Sequence, residues 1–172
     1  GEEKAMEYRK LGRTGLTVSA VGMGCEGFEG KTEEESRALM QAAMDAGICF
    51  FDMYTPSPAV RRAMGQALRA YPREKFVIQG HLCTDWQDGQ YVRTRNIEDV
   101  RRSFEHLLTD TGFGYIDIGM IHYCDTLDDL KSILTGDVMA YAKSLKEQGT
   151  VRCIGLSTHN PDVVMQAVAS GE

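Results

Sequence analysis

Compact apolar runs of four to six residues alternate with longer stretches in which apolar residues recur three and four positions apart, from about residue 20 onward. The compact runs read as buried parallel strands and the spaced stretches as helices packed on them, so the repetition predicts consecutive βα units. The clearest run is Gly114 to Asp125 (GYIDIGMIHYCD). Its apolar centre, Ile116 to Ile121, is interrupted by Asp117 and Gly119 and ends in His122, Tyr123, Cys124 and Asp125. Polar and reactive side chains gathered at the end of such a strand are the pattern of a barrel wall with chemistry at its C-terminal rim.

The other elements follow from the same signals. Tyr8 to Ser19, with Gly12 and Gly15 around a turn, predicts a small hairpin, and Val18 to Met23 the first barrel strand, followed by a glycine-rich loop from Gly24 to Gly30. Thr32 with Glu35 is a capping box, and Leu39, Met40 and Ala43 carry a helix as far as Gly47. Ile48 to Phe51 reads as a strand followed by Asp52, and Ser57 with Pro58 opens a helix striped by Val60, Met64, Ala67 and Leu68. Phe76 to Gln79 is the third strand, trailed by Gly80, His81 and Leu82. Cys83 to Arg95, with Asp85, Trp86, Asp88 and Tyr91, has the composition of a lid or binding loop. Asn96 caps a helix carrying Ile97, Val100, Phe104, Leu107 and Leu108. Beyond the central strand two short helices break at Gly136 to Asp137, Val151 to Leu156 is a fifth strand, and Asn160 with Pro161 starts a last helix that closes near Gly171.

The expected fold is therefore α/β, of the (β/α)8 TIM-barrel type, with about the first five βα units present. Residues 1–172 form a single incomplete barrel domain: 8–19 the hairpin, 20–172 the units. A closed barrel needs eight units, and an open parallel sheet leaves two unpaired edges. Two expectations follow: the front part of a longer polypeptide, which complete closure favours, or a half-barrel that pairs its edges as a homodimer.

Composition narrows the function classes. Among 172 residues, 42% are hydrophobic, enough for a sizeable core, and the net charge of −6 argues against a non-specific nucleic-acid binder. Arg93, Arg95, Arg101 and Arg102 are a local basic cluster, expected to be a solvated loop and helix face. No apolar run is long enough to span a bilayer, and the start, GEEKAMEYRK, is too polar for a secretory leader. Five cysteines without C-x-x-C spacing fit reduced thiols, so a cytoplasmic protein is expected.

Four blocks in order, YRKLGRTGLTVSAVGMG, FFDMYT, YIDIGMIHY and VRCIGLSTHN, resemble the aldo-keto reductases, from about Tyr8 to the C-terminus. GMGCEGFEGK, VIQGHLCTDWQDGQY and GMIHY look most like a bacterial branch of predicted reductases that often carry a ferredoxin-like tail; no iron–sulfur motif is present in this chain. The resemblance implies an NADP(H)-dependent oxidoreductase that reduces an aldehyde or ketone. In that family a catalytic Asp follows strand 2, a Tyr lies five residues on, a Lys follows strand 3 and a His follows strand 4. Asp52 and His122 match; the Tyr position falls on Ser57, with Tyr54 nearby, and the Lys position on His81. Ser157 and Thr158 stand where the family has the Ser-Asn pair contacting the nicotinamide amide, and Gly24 is placed with them as cofactor-binding. The family's pyrophosphate and 2′-phosphate loops follow strands 7 and 8, beyond Glu172, and no G-x-G-x-x-G replaces them, so weak or absent NADP(H) binding by this chain alone is expected.

Carbonyl reduction needs a hydride donor at the carbon and an acid near the oxygen. His122 and His81, on adjacent strands, suit the supply or relay of that proton, and Tyr54 is a second candidate acid. By position alone both histidines read equally well as hydrogen-bonded rim residues, and Asp52 as a turn residue. Ser57 has a sufficient explanation as a helix cap. Cys25, Cys83 and Cys124 converge on the same rim, but without metal-ligand spacing no metal is assigned. Trp86 and Tyr91 are read as substrate-loop or packing aromatics. A non-catalytic half-barrel acting as a binding module is the alternative from another class.

Overall fold

A computed structural model describes residues 4–172, so the first three residues of the polar start lie outside the described part. The chain begins with an antiparallel hairpin, β1 (Tyr8–Lys10) with β2 (Thr17–Ser19). A parallel sheet follows, of β3 (Met23–Gly24), β4 (Phe50–Met53), β5 (Val77–Leu82), β8 (Ile116–Ile121) and β9 (Val151–Leu156), neighbours in this order. Helices α1 (Glu33–Asp45), α2 (Pro58–Leu68), α3 (Ile97–Thr111), α4 (Leu127–Thr135), α5 (Asp137–Glu147) and α6 (Pro161–Ser170) complete the units. Parallel neighbours joined through helices in sequence order are the α/β topology that the alternating pattern predicts. No helix among the described residues is long and apolar enough to cross a membrane.

The helix starts are written locally. Thr32 and Glu35 form the reciprocal capping box of α1, Ser57 accepts from the Val60 amide beside Pro58, and Asn96 accepts from the amides of Glu98 and Asp99. Each satisfies backbone donors that have no partner inside the helix. Ser57 is thus a cap.

Strand limits differ from the sequence expectation in three places. Val18 is part of the hairpin, and the first sheet strand shrinks to Met23–Gly24. Between them the Ser19 hydroxyl donates to Val21 O at 2.6 Å and accepts from the Cys49 amide at 3.0 Å, while the Ala20 amide goes to Glu7 O. Ladder partners for residues 19 to 22 are thereby diverted. The second strand starts late because the Ile48 amide still bonds Ala43 O at the end of α1, through Gly47 at φ 86°. Asp52 consequently lies inside β4, not after it. The third strand runs on to Leu82 because Gln79 to Leu82 pair with Ile118 to Ile121, which brings His81 into the sheet.

Side chains alternate between two apolar clusters. Phe51, Ile78, Leu82 and Ile121 join the large core under the helices, whereas Phe50, Val77, Ile118 and Met120 pack with Leu11, Leu16 and Val18 of the hairpin region. Residues two apart share a face. Asp52 follows Phe50, Gln79 and His81 follow Val77, and His122 follows Met120, so all four belong to the second face, in successive layers toward the C-terminal ends of the strands.

The segment Cys83–Arg95 is not an irregular lid. It folds into a second hairpin, β6 (Thr84–Gln87) with β7 (Gln90–Arg93), in which Trp86 pairs Tyr91. Its two-residue turn, Asp88 and Gly89, has φ of 51° and 73°, the conformation that an Asp-Gly pair favours between strands.

Candidate active site

At the C-terminal ends of β4, β5 and β8 the predicted residues meet in one line of hydrogen bonds. Asp52 Oδ1 lies 2.9 Å from His81 Nε2, and His81 Nδ1 lies 2.8 Å from His122 Nδ1. His122 Nε2 is in turn 2.6 Å from the Tyr91 hydroxyl, delivered by β7. Gln79 donates to the same Asp52 oxygen at 3.0 Å and steadies the carboxylate. His81, inside the line, is only 6% exposed, while the Asp52 side chain at one end is 36% exposed and Tyr91 at the other is 42% exposed. The line is therefore buried at its centre and open at both ends.

The geometry admits a consistent polarity. With both imidazoles neutral, ionised Asp52 accepts from His81 Nε2–H, which leaves His81 Nδ1 to accept from His122 Nδ1–H. His122 Nε2 is then the acceptor for the Tyr91 O–H. Burial, with His81, Arg95 and Arg93 adding to it, pushes the His122 imidazole down to about 4, so it is neutral near pH 7.

The backbone after β8 is held from outside. Arg95 makes two bonds to the Asp129 carboxylate, at 2.8 and 3.2 Å, and donates to His122 O at 2.8 Å and Tyr123 O at 3.0 Å. Tyr123, at φ 60°, gives its amide to Ser157 Oγ at 2.7 Å, and Arg93 lies 4.7 Å over its ring. The basic cluster is a solvated face at Arg93, Arg101 and Arg102, all exposed, with Arg102 also pairing with buried Asp85 at the root of the hairpin and Arg101 stacking on Tyr141; half-buried Arg95 is the exception and clamps the turn that follows His122. Arg95 pulls Asp129 below the usual carboxylate range. The signal was the basic spacing next to a rim, but pairing across 34 residues is not visible in sequence.

The remaining candidates sit at the same end. Tyr54 follows β4, and its ring meets the edge of Tyr91 at 6.4 Å; among the described residues its hydroxyl makes no hydrogen bond to either imidazole. Ser157 Oγ accepts from Tyr123 and keeps its own hydrogen free, whereas the Thr158 hydroxyl donates to Asp125 Oδ1 at 3.1 Å and accepts from the Asn160 amide. A free donor beside His122 fits a nicotinamide amide carbonyl at Ser157; Thr158 is committed to its turn. Gly24 ends β3, and a Cβ there would meet only the movable Glu26 carboxylate. Cys25, Cys83 and Cys124 are buried, and burial raises all three thiols, Cys124 to about 11. Among the described residues no group of three His, Cys, Asp or Glu side chains is arranged around a metal position.

Tyr91 is the participant that sequence reasoning did not assign. The Asp88-Gly89 pair was the available clue to a hairpin, but that this hairpin returns Tyr91 to the strand ends is set by the fold.

Fold and site together define a parallel βα-unit protein with a hydrogen-bonded line of titratable side chains at its strand C-termini. Residues 20–172 match the family model described as Aldo/keto reductase family, and the chain belongs to that family. It is 30% identical over 167 residues to aldo-keto reductase YhdN of Bacillus subtilis, covering 88% of this chain and 47% of that protein. It is 24% identical over 186 residues to the NADH-specific methylglyoxal reductase of Escherichia coli, covering 97% of this chain and 56% of that one. Aldo-keto reductase AKR11C1 from Bacillus halodurans, solved in its holo form, has the same fold, with a TM-score of 0.81 and 22% identity over 95% of this chain and 54% of that structure. The chain thus spans about half the length of the relatives it matches.

Proposed function

We propose that the protein is an NADP(H)-dependent oxidoreductase that reduces an aldehyde or ketone, with Asp52, His81 and His122 as its proton-handling residues. The observation that carries this reading is the unbroken Asp52–His81–His122 contact at the ends of three adjacent strands. The nicotinamide supplies a hydride to the carbonyl carbon when bound. Asp52 orients His81 and balances the charge when the pair holds an extra proton. His81 occupies the family's Lys position and, unlike a lysine, both donates and accepts. His122 passes the proton toward the carbonyl oxygen. Ser157 holds the carboxamide. Tyr54, beside this line, completes the candidate acids as an aromatic wall against Tyr91. A carbonyl of small size fits this reading, since one related protein is named a methylglyoxal reductase.

Residues 1–172 serve here as one incomplete barrel domain, and five free cysteines suit a cytoplasmic site of action. Self-association is a second reading, favoured by the open β9 edge and by Val164, Met165 and Val168 of α6, which are 46%, 70% and 76% exposed. Chromatography with light scattering separates the two: a stable dimer supports pairing of these edges, and a monomer removes it.

The first experiment is a titration of the chain with NADPH, followed by nicotinamide fluorescence. Saturable binding that weakens in Ser157→Ala supports the reductase reading. A folded sample that binds neither NADPH nor NADH would reject cofactor binding by this chain.

A further inference from the structure

We propose that Tyr91, carried on the β6–β7 hairpin, is the catalytic residue that hands the proton to the substrate carbonyl oxygen, in place of a tyrosine following β4. This rests on the reductase reading above.

Three observations carry it. Tyr91 ends the hydrogen-bonded line, at 2.6 Å from His122 Nε2, and at 42% is the most exposed of the four as a whole residue. The position five residues after Asp52 is Ser57, whose hydroxyl caps α2, and Tyr54 has its hydroxyl outside the line. The hairpin is also anchored, not loose. Asp85, 4% exposed, is gripped by Arg102 of α3 and by its own Trp86 and Gln87, and the Thr94 amide closes onto Cys83 O at 3.0 Å. A donor held by a fixed element keeps its aim.

The proton balance follows from reversing the line. In the loaded state His81 carries a hydrogen on both nitrogens and faces Asp52, His122 holds its hydrogen on Nε2 and gives it to the Tyr91 oxygen, and Tyr91 O–H points to the substrate. As the hydride forms the new C–H bond, the carbonyl π pair moves to oxygen and takes the Tyr91 proton. Tyr91 takes the Nε2 hydrogen of His122, and His122 Nδ1 takes the hydrogen of His81 Nδ1. The product is an alcohol and the line is left with neutral imidazoles, the polarity that accepts a proton in the reverse oxidation. One proton from water reloads it. Burial keeps the Tyr91 phenol above its ordinary range and therefore protonated. The charged or titratable groups facing His122 are Asp52 of β4, His81 of β5, Tyr91 and Arg93 of β7, Arg95 and Tyr123, and His81, Arg95 and Arg93 favour its neutral form.

The test compares Tyr91→Phe and Tyr54→Phe in the full chain, reducing 4-nitrobenzaldehyde with NADPH. Phenylalanine keeps the ring packing and removes only the hydroxyl. Tyr91→Phe is expected to lower kcat by about 100-fold or more with NADPH binding unchanged. Its alkaline kcat limb should also disappear, which a merely structural role would not produce. Retained kcat and limb in Tyr91→Phe, with loss in Tyr54→Phe, overturns the assignment. If the unsubstituted chain turns nothing over, as weak cofactor binding by this chain alone would cause, the donor is judged separately by benzoate, whose carboxylate oxygen stands in for the carbonyl oxygen. NMR titration at pH 6 should then show benzoate binding about tenfold weaker in Tyr91→Phe, the worth of one charge-assisted hydrogen bond. No benzoate binding to the unsubstituted chain, or binding indifferent to Tyr91→Phe, overturns it as well.

Discussion

The two ends of β5 and β8 each bury an acid–base group, and they are built in opposite ways. At the N-terminal end Asp117, 2% exposed, accepts from Arg73 at 2.7 Å and from the Ile78 amide at 2.9 Å. Arg73 also donates to Phe76 O and Tyr115 O and lies 3.9 Å over the Tyr115 ring. Charges and hydrogen bonds close on one another, with only the Arg73 Nε left without a partner. At the C-terminal end Asp52, His81, His122 and Tyr91 form an open line in which the carboxylate accepts, the imidazoles and the phenol can each donate or accept, and the last hydroxyl faces outward. A closed ion pair holds two strands together; an open line of titratable groups can move a proton.

Breaking the closed end should cost the most stability. Asp117→Ala leaves Arg73 unpaired and the Ile78 amide without its acceptor, and should destabilise the fold by about 3–5 kcal/mol in urea denaturation. Proton transfer at the other end should keep its pH profile in that variant, and a changed profile would mean the two ends are coupled.

Breaking the open end should do the reverse. His122→Ala should lower kcat by about 10²–10⁴-fold while changing the urea midpoint little. Equal loss of stability in both variants would erase the contrast between closed and open ends.

A smaller effect should appear as a pH dependence. The folded His122 is held near 4 against 6.5 for a free imidazole, so the unfolded chain binds the extra proton first. Its contribution to stability is complete above about pH 6.5 and is lost as pH falls toward 4. The difference in unfolding free energy between the unsubstituted chain and His122→Ala should therefore shift in favour of the variant over this interval, and a flat difference would place the proton elsewhere.

The smallest effect is expected in the hairpin that presents Tyr91. Gly89 sits at φ 73° with nothing within 4 Å of a built Cβ, so Gly89→Ala meets strain without a clash and should cost about 1–2 kcal/mol. A larger drop in kcat than in stability would show that the turn aims Tyr91.

Much of this was legible in the chain because it is local. Thr32 with Glu35, Ser57 with Pro58, and Asn96 each write a helix start within a few residues, and the apolar run ending at His122 marks a rim by itself. The parallel order follows from alternating strands and helices. Strand limits were less legible, since Ser19 and Ile48 spend their hydrogen bonds on partners outside the pattern.

The sequence by itself determined the βα succession, the helix caps and the placing of Asp52, His81 and His122 toward strand C-termini. Only the tertiary structure decided that the three meet in one hydrogen-bonded line, that Arg95 holds the turn after His122 and that Tyr91 finishes the line. The contacts that do this span 27 to 41 residues. Such pairings depend on strand register and on the path of one hairpin, which set a donor within about 3 Å of its acceptor and leave no periodic trace in the chain.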